Sequence, residues 1–190
     1  MTYANSYAPQ SRFAQTEQPT EDTNMAAAKR KSPRTKPKTL DAVALLKADH
    51  RQVADWFEEF KKARLATRKQ SLASSICSAL RVHTQIEEEL FYPAFIAATG
   101  NEDLHHEAIV EHDGAEKLIS EISASSPSDE YFDAKVKVLS EMIKHHVKEE
   151  EQPGGMFAEA KRAKMDLAAL GAEMASRKAE LESLSNRRAA

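Results

Sequence analysis

With 190 residues, 41% of them hydrophobic, the chain has enough material for one domain with a real core, and not comfortably for two. A single cysteine, Cys77, excludes an internal disulfide framework and leaves too few thiolates for a cysteine-based zinc or iron–sulfur site. The net charge of −3 is unevenly spread: residues 1–38 carry 7 Lys/Arg against 3 Asp/Glu, a net of +4, and the remainder 20 against 27, a net of −7, so the body of the chain is too acidic to suit nucleic acid.

Residues 1–38 are rich in Gln, Thr, Ser, Ala and Pro and end in KRKSPRTKPK. That composition predicts a disordered basic tail. The run 29–38 is a candidate phosphate-binding segment, through which a nucleic acid partner would act; a solubilising extension is the simpler reading. No signal peptide is recognisable at the start, and no apolar run approaches the roughly 20 residues of a membrane span. The expectation is therefore a soluble, cytoplasmic protein with no membrane partner.

From Thr39 the texture becomes helical. The first expected helix runs from about Leu40 to Lys62, with Leu45, Leu46, Val53, Trp56, Phe57 and Phe60 as its apolar stripe. A second covers about Arg68 to Ala98, along Leu72, Ile76, Leu80, Ile86, Leu90 and Phe91, and Gly100-Asn101 ends it. A third spans about Glu102 to Ala124, with Leu104, Ala108, Ala115, Leu118, Ile119 and Ile122. After the loop SSPSD, Ser128 or Asp129 is positioned to cap a fourth helix reaching about Gln152, where Pro-Gly-Gly stops it. Four long helices with short connections predict an all-α, antiparallel up-down-up-down four-helix bundle over residues 39–157. Residues 158–190 are expected to hold an extra C-terminal helix, about Ala158 to Ser185, with Ala163, Leu167, Leu170, Met174, Leu181 and Leu184 as a thin stripe interrupted at Arg177 and Lys178. That helix either docks on its own bundle or pairs with a second chain, so the alternatives are a monomer or a dimer.

The chemistry lies in which polar residues fall on the apolar stripes. His50 shares the face of Leu46 and Val53; His83 follows Leu80 by three, and Glu87 follows His83 by four. His112 sits between Ala108 and Ala115, while His146 follows Met142 and Ile143, with Glu150 again four residues on. Four residues advance a helix by about 6 Å and bring the side chain back to nearly the same face. A His-x-x-x-Glu pair therefore aims an imidazole and a carboxylate at one spot. An ionised carboxylate in an apolar core must be neutralised, paired or metal-bound, and no Lys or Arg sits on these stripes beside it. The predicted metal site is thus His50, His83, Glu87, His112, His146 and Glu150. Imidazole with carboxylate suits iron, and also zinc, copper or manganese. Two carboxylates able to bridge ions about 3.5–4 Å apart point to a two-metal centre. His105, His106 and His145 lie beside the stripes and read as surface residues, and most of Glu87–Glu89 and Glu149–Glu151 must point outward. Glu111 is a candidate extra ligand, and Cys77 reads as a small buried hydrophobe.

The ordered set His50, His83-x-x-x-Glu87, His112 and His146-x-x-x-Glu150, with LLKADHRQVADWFEEF, HTQIEEELFYPAF, EHDGAEKLI and HHVKEEEQPGGMF around it, resembles the hemerythrin-like HHE cation-binding domain. The resemblance covers about residues 39–157. It implies a bundle holding two iron ions, oxo- or hydroxo-bridged, with the four histidines as nitrogen ligands and the two glutamates as bridges. The chain departs from the oxygen carriers of that superfamily in two places. Ala108 stands where they have a further His, and Glu150 stands one residue before their closing Asp. Simple oxygen transport therefore gives way to binding or reaction with O2, NO or peroxide, in sensing or in oxidative and nitrosative stress defence. An iron-binding or iron-donating protein without gas chemistry is the alternative. No catalytic triad, phosphate loop or dinucleotide fingerprint decides whether it is an enzyme.

Overall fold

The computed structural model describes residues 40–189, and every regular element among them is helical. The expected disordered tail and its basic run lie outside the described residues. Helices α1 (Ala42–Lys62), α2 (Ala66–Ile86), α4 (Glu102–Ser123) and α5 (Phe132–Glu151) make up the bundle. They pack in a ring: α1 on α2, α2 on α4, α4 on α5, and α5 back on α1. Each end has a local cause. The Asp41 carboxylate accepts the Ala44 N–H at 2.8 Å to start α1, and Asn101 does the same for Leu104 at the start of α4. Asp129 departs from the cap expected of it. Its carboxylate accepts the Ser126 N–H at 2.8 Å, which closes the loop upon itself, and α5 begins only at Phe132 without a side-chain cap.

The expected second helix is not one uninterrupted α-helix. After α2, residues Glu87–Phe91 form a π-helical turn, and α3 (Tyr92–Thr99) continues the chain to Gly100. The wider turn changes the phase of the helix, so that Glu87 and Phe91 at its two ends and Tyr92 and Phe95 after it are all fully enclosed. A stripe read at 3.6 residues per turn does not anticipate Tyr92, and this residue bears on the site.

The C-terminal segment also divides. Helix α6 (Met156–Arg162) is separated from α7 (Leu167–Ala189) by a turn in which Lys164 adopts φ 58° and Asp166 accepts the Ala169 N–H at 3.0 Å. Helix α7 packs on α1, α2 and the π turn, with Leu170 and Met174 buried, whereas Ala163 and Leu184 of the expected stripe are exposed. Gly171 permits that docking: a Cβ there would lie 2.5 Å from the Leu40 carbonyl oxygen and 2.6 Å from the Ala42 nitrogen. The interruption at Arg177 and Lys178 is part of the same contact, because Arg177 pairs with Glu89 and Lys178 with Asp49.

Two apolar clusters fill the bundle. One gathers Leu46, Ile86, Phe91, Tyr92, Phe95, Phe157 and Met174; the other gathers Val53, Phe57, Phe60, Ile76, Leu80, Ile119, Phe132 and Leu139. A fully buried Phe, Leu or Ile among them contributes about 1.5–3 kcal/mol relative to exposure. Neither cluster includes the histidines, which form a polar layer of their own. No described helix is long and apolar enough to cross a membrane.

Candidate metal centre

All six residues singled out by spacing are buried, Glu87 at 0% and Glu150 at 3% exposure, on four different helical stretches. They form two imidazole pairs joined by two carboxylates. The Nε2 atoms of His50 and His83 are 3.1 Å apart, and those of His112 and His146 are 3.4 Å apart. Glu87 Oε2 lies 3.2 Å from His83 Nε2 and 3.5 Å from His112 Nε2. Glu150 Oε2 lies 3.4 Å from His50 Nε2 and 3.6 Å from His146 Nε2. Each carboxylate therefore reaches one imidazole of either pair. Close as these approaches are, none is aligned as a hydrogen bond, and all four oxygens of Glu87 and Glu150 are buried without a hydrogen-bond partner. Buried carboxylate oxygens in that condition are costly unless a cation lies among them. The ligand atoms of His50, His83 and Glu87 fall within 4.8 Å of one another, and so do those of Glu87, His112 and His146. The donor set fits a pair of metal ions.

The far side of every ring is also specified. His50 Nδ1 meets Glu151 at 2.9 Å, His112 Nδ1 meets Glu88 at 2.9 Å, His146 Nδ1 meets Glu111 at 2.8 Å, and His83 Nδ1 meets Asp49 at 3.5 Å. A carboxylate only accepts, so in the neutral ring the proton sits on Nδ1 and the Nε2 lone pair faces the centre. Lys47 and Lys178 in turn hold Glu151 and Asp49. Glu88 and Glu151 belong to the acidic runs whose members were expected to point outward. They do reach the rim, yet each orients a buried imidazole. Glu111, the candidate extra ligand, accepts from His146 Nδ1 and so orients that ring. The sequence signal for these partners is adjacency: Asp49, Glu88, Glu111 and Glu151 each sit one residue from a buried His or Glu.

Electrostatics divide the six. Burial opposes charge on His83, but the Glu87 carboxylate, Asp49 and Glu150 outweigh it and raise its pKa to about 10. His146 is likewise disfavoured by burial, and Glu111 and Glu150 raise it to about 9. Burial and the charge on His83 press His50 down to about 4, and burial foremost also lowers His112. Burial together with Glu87 pushes Glu150 up to about 8. For Glu87 burial acts upward, but the imidazoles around it hold it down to about 2. Protons thus balance the charge of a metal-free centre.

The two faces of the layer differ. Beside the imidazoles, Val53, Leu80, Ala115, Ile119 and Ile143 line a small apolar cavity of about 20 Å³, onto which all four rings open. On the other face Phe157 stacks on His50 with 5.9 Å between ring centroids. Gly155 brings that helix close, since a Cβ there would lie 2.0 Å from the Glu149 carbonyl oxygen. Tyr92, which spacing did not single out, places its hydroxyl 3.3 Å from His112 Nε2. His105 corrects its surface reading: it is half-buried, edge-on to Tyr92 at 5.6 Å, with Nδ1 enclosed and unpartnered. His106 and His145 are exposed, and Cys77 is buried.

Asp49→Asn, which weakens both the link to His83 and the anchor to Lys178, is expected to lower metal affinity about 10–100-fold while the chain stays folded. Competition with a chromophoric chelator measures this, and unchanged affinity would remove Asp49 from the centre's support.

Residues 41–153 match a family model described as hemerythrin HHE cation binding domain. A crystal structure of a hemerythrin HHE cation binding domain-containing protein from Mycobacterium kansasii is similar in fold, with a TM-score of 0.62 at 20% identity, over 78% of this chain and 91% of that one. A protein from Nostoc sp. named DNA nickase is 29% identical over 107 residues, which are 56% of this chain and 30% of that protein. The chain therefore spans about a third of that relative's length.

Proposed function

Because the chain belongs to the hemerythrin HHE cation-binding domain family, we propose that its six buried ligands hold two iron ions, in an up-and-down bundle, and that the centre binds or reacts with O2, NO or peroxide. The observation carrying this reading is the pairing itself. Two imidazole pairs, each reached by both carboxylates, make a frame for two ions rather than one. Bound iron would supply the electrons that such small oxidants accept. The protein's own part is to fix, exclude and orient. Glu151, Asp49, Glu88 and Glu111 hold the rings with Nε2 inward. Phe157 and Phe91 keep water from the His50 side. The apolar cavity under the imidazoles suits a small neutral molecule better than an ion. On the opposite face the Tyr92 hydroxyl is placed to donate a hydrogen bond beside His112. A role in sensing or in oxidative and nitrosative defence follows from such a ligand.

The test is an optical spectrum of the iron-loaded, anaerobically reduced protein followed through exposure to air. A visible band that appears with oxygen and reverses on its removal is the expected result. Oxidation with no adduct would overturn reversible binding and favour iron handling or peroxide reduction. Strand cleavage is a second reading, favoured by the name of the Nostoc relative and by the basic run at 29–38. Conversion of supercoiled plasmid to open circles, lost on His83→Ala, would support it, and intact plasmid would end it.

A further inference from the structure

The His-x-x-x-Glu pair of α5 occurs twice, one residue out of step: His146 and Glu150 face the centre, and His145 and Glu149 precede them. Consecutive helical residues point about 100° apart, so the earlier pair faces outward. Its imidazole and carboxylate come together at the surface, with His145 Nε2 3.2 Å from Glu149 Oε1. Glu111 of α4 completes the group. Its Oε1 lies 3.4 Å from His145 Nε2, while its Oε2 accepts from His146 Nδ1 at 2.8 Å. One ligand atom from each of Glu111, His145 and Glu149 falls within 4.8 Å of the others. Among the described residues no Lys or Arg forms an ion pair with Glu111 or Glu149. One nitrogen and two carboxylates suit a divalent transition-metal ion.

A second observation connects this group to the interior. Glu107, Ala108, Glu111 and Glu149 line a cleft that ends on His146 and Glu150. Glu150 is 3% exposed, and neither of its oxygens has a hydrogen-bond partner. Ala108 presents only a methyl group, and between it and the apolar Leu104 and Met156 the carboxylates of Glu107, Glu111, Glu149 and Glu150 run from rim to centre. The cavity on the imidazole face is lined chiefly by Val53, Leu80, Ala115, Ile119 and Ile143, whereas this cleft presents four glutamates to an entering cation.

Resting on the two-iron reading above, we propose that Glu111, His145 and Glu149 form an outer, exchangeable cation site, on which a divalent iron ion lands before passing along the Ala108 cleft to Glu150 and the buried centre. Glu111 serves both stations. At the rim it binds the arriving ion, and when the ion has passed inward it orients His146. Since His145 is 62% exposed, the remaining coordination positions are open to water and the ion leaves readily.

The experiment compares the full-length parent, the double variant His145→Ala/Glu149→Gln and a charge control, Glu130→Gln, which lies in the exposed loop before α5. Metal-free protein is mixed anaerobically with ferrous iron, and uptake is quenched at intervals with a chelator. The double variant is expected to take up iron roughly ten-fold or more slowly and to reach the same final iron per chain, with the control at the parental rate. An unchanged rate in the double variant overturns the proposal. A lowered final content does so too, because it would make these residues part of the buried centre. Iron-loaded parent is then titrated with manganous ion and free manganese is followed by its paramagnetic resonance. One further ion per chain, lost in the double variant, is expected; no further ion would refute the outer site. Should the parent take up no iron at all, the two-iron reading fails by itself, and the difference of one manganese per chain between parent and double variant still decides for or against the outer site.

Discussion

Glu87→Gln is expected to abolish stable occupancy of the centre while sparing the fold. Glu87 is fully enclosed and converges with His50 and His83 in one group of ligand atoms and with His112 and His146 in the other. The amide keeps the volume, so no cavity opens. It loses the charge and one acceptor, however, so under the proposed two-iron reading it could no longer serve both ions. A loss of about a hundred-fold in affinity removes ~2.7 kcal/mol of metal-linked stabilisation. Without metal the expectation reverses. The parent buries this carboxylate with no hydrogen bond, and replacing one member of a buried charged group is tolerated when its partner can shed its charge. His83 can do so, because Glu87 is the leading influence that raises its pKa. Iron per chain and thermal unfolding with and without metal read both effects. Parental iron content in the variant would sink the bridging role; an equal fall in stability with and without metal would make Glu87 a structural residue only.

Metal binding is expected to strengthen steeply with pH. In the metal-free centre at neutral pH, His83 and His146 are charged and Glu150 is protonated, their pKa values lying at about 10, 9 and 8. An ion needs all three as lone-pair donors, so its arrival expels up to one proton from each. Each proton released changes the affinity about ten-fold per pH unit. The sign for folding runs the same way. All three groups bind protons more tightly folded than unfolded, from ordinary values of 6.5 for His and 4.5 for Glu. Their stabilisation of the metal-free fold is complete below those ordinary values and is lost as pH rises through about 8 to 10. His50, pressed down to about 4, contributes the opposite slope, but only below its ordinary 6.5. Above pH 7 the raised groups therefore act unopposed. The gap in melting temperature between metal-loaded and metal-free protein should widen from about pH 6.5 to pH 9. Calorimetric titration in buffers of different ionisation enthalpy should also count the protons released. A constant gap with no proton release would contradict this account of the charge balance.

The sequence by itself determined the helical class, the apolar stripes of the four bundle helices and the six inward-facing histidine and glutamate side chains. Each of these follows from a periodicity of 3.6 residues acting within one helix. His83 and Glu87, or His146 and Glu150, share a face whatever the rest of the chain does. Capping was legible where it was equally local, as at Gly100-Asn101, and misread at Asp129, whose carboxylate had a nearer N–H to accept from. The tertiary structure alone decided the features that require a second helix or a break in the period. The π turn brings in Tyr92, which a constant period places elsewhere. The Nδ1 partners Asp49, Glu88, Glu111 and Glu151 all lie on helical stretches other than those of the rings they orient. The gap at Arg177 and Lys178 becomes a docking contact only once α7 meets Glu89 and Asp49. Spacing can say which way a side chain points along its own helix; which partner it meets is settled only when the helices pack, because that pairing depends on distances that no single helix contains.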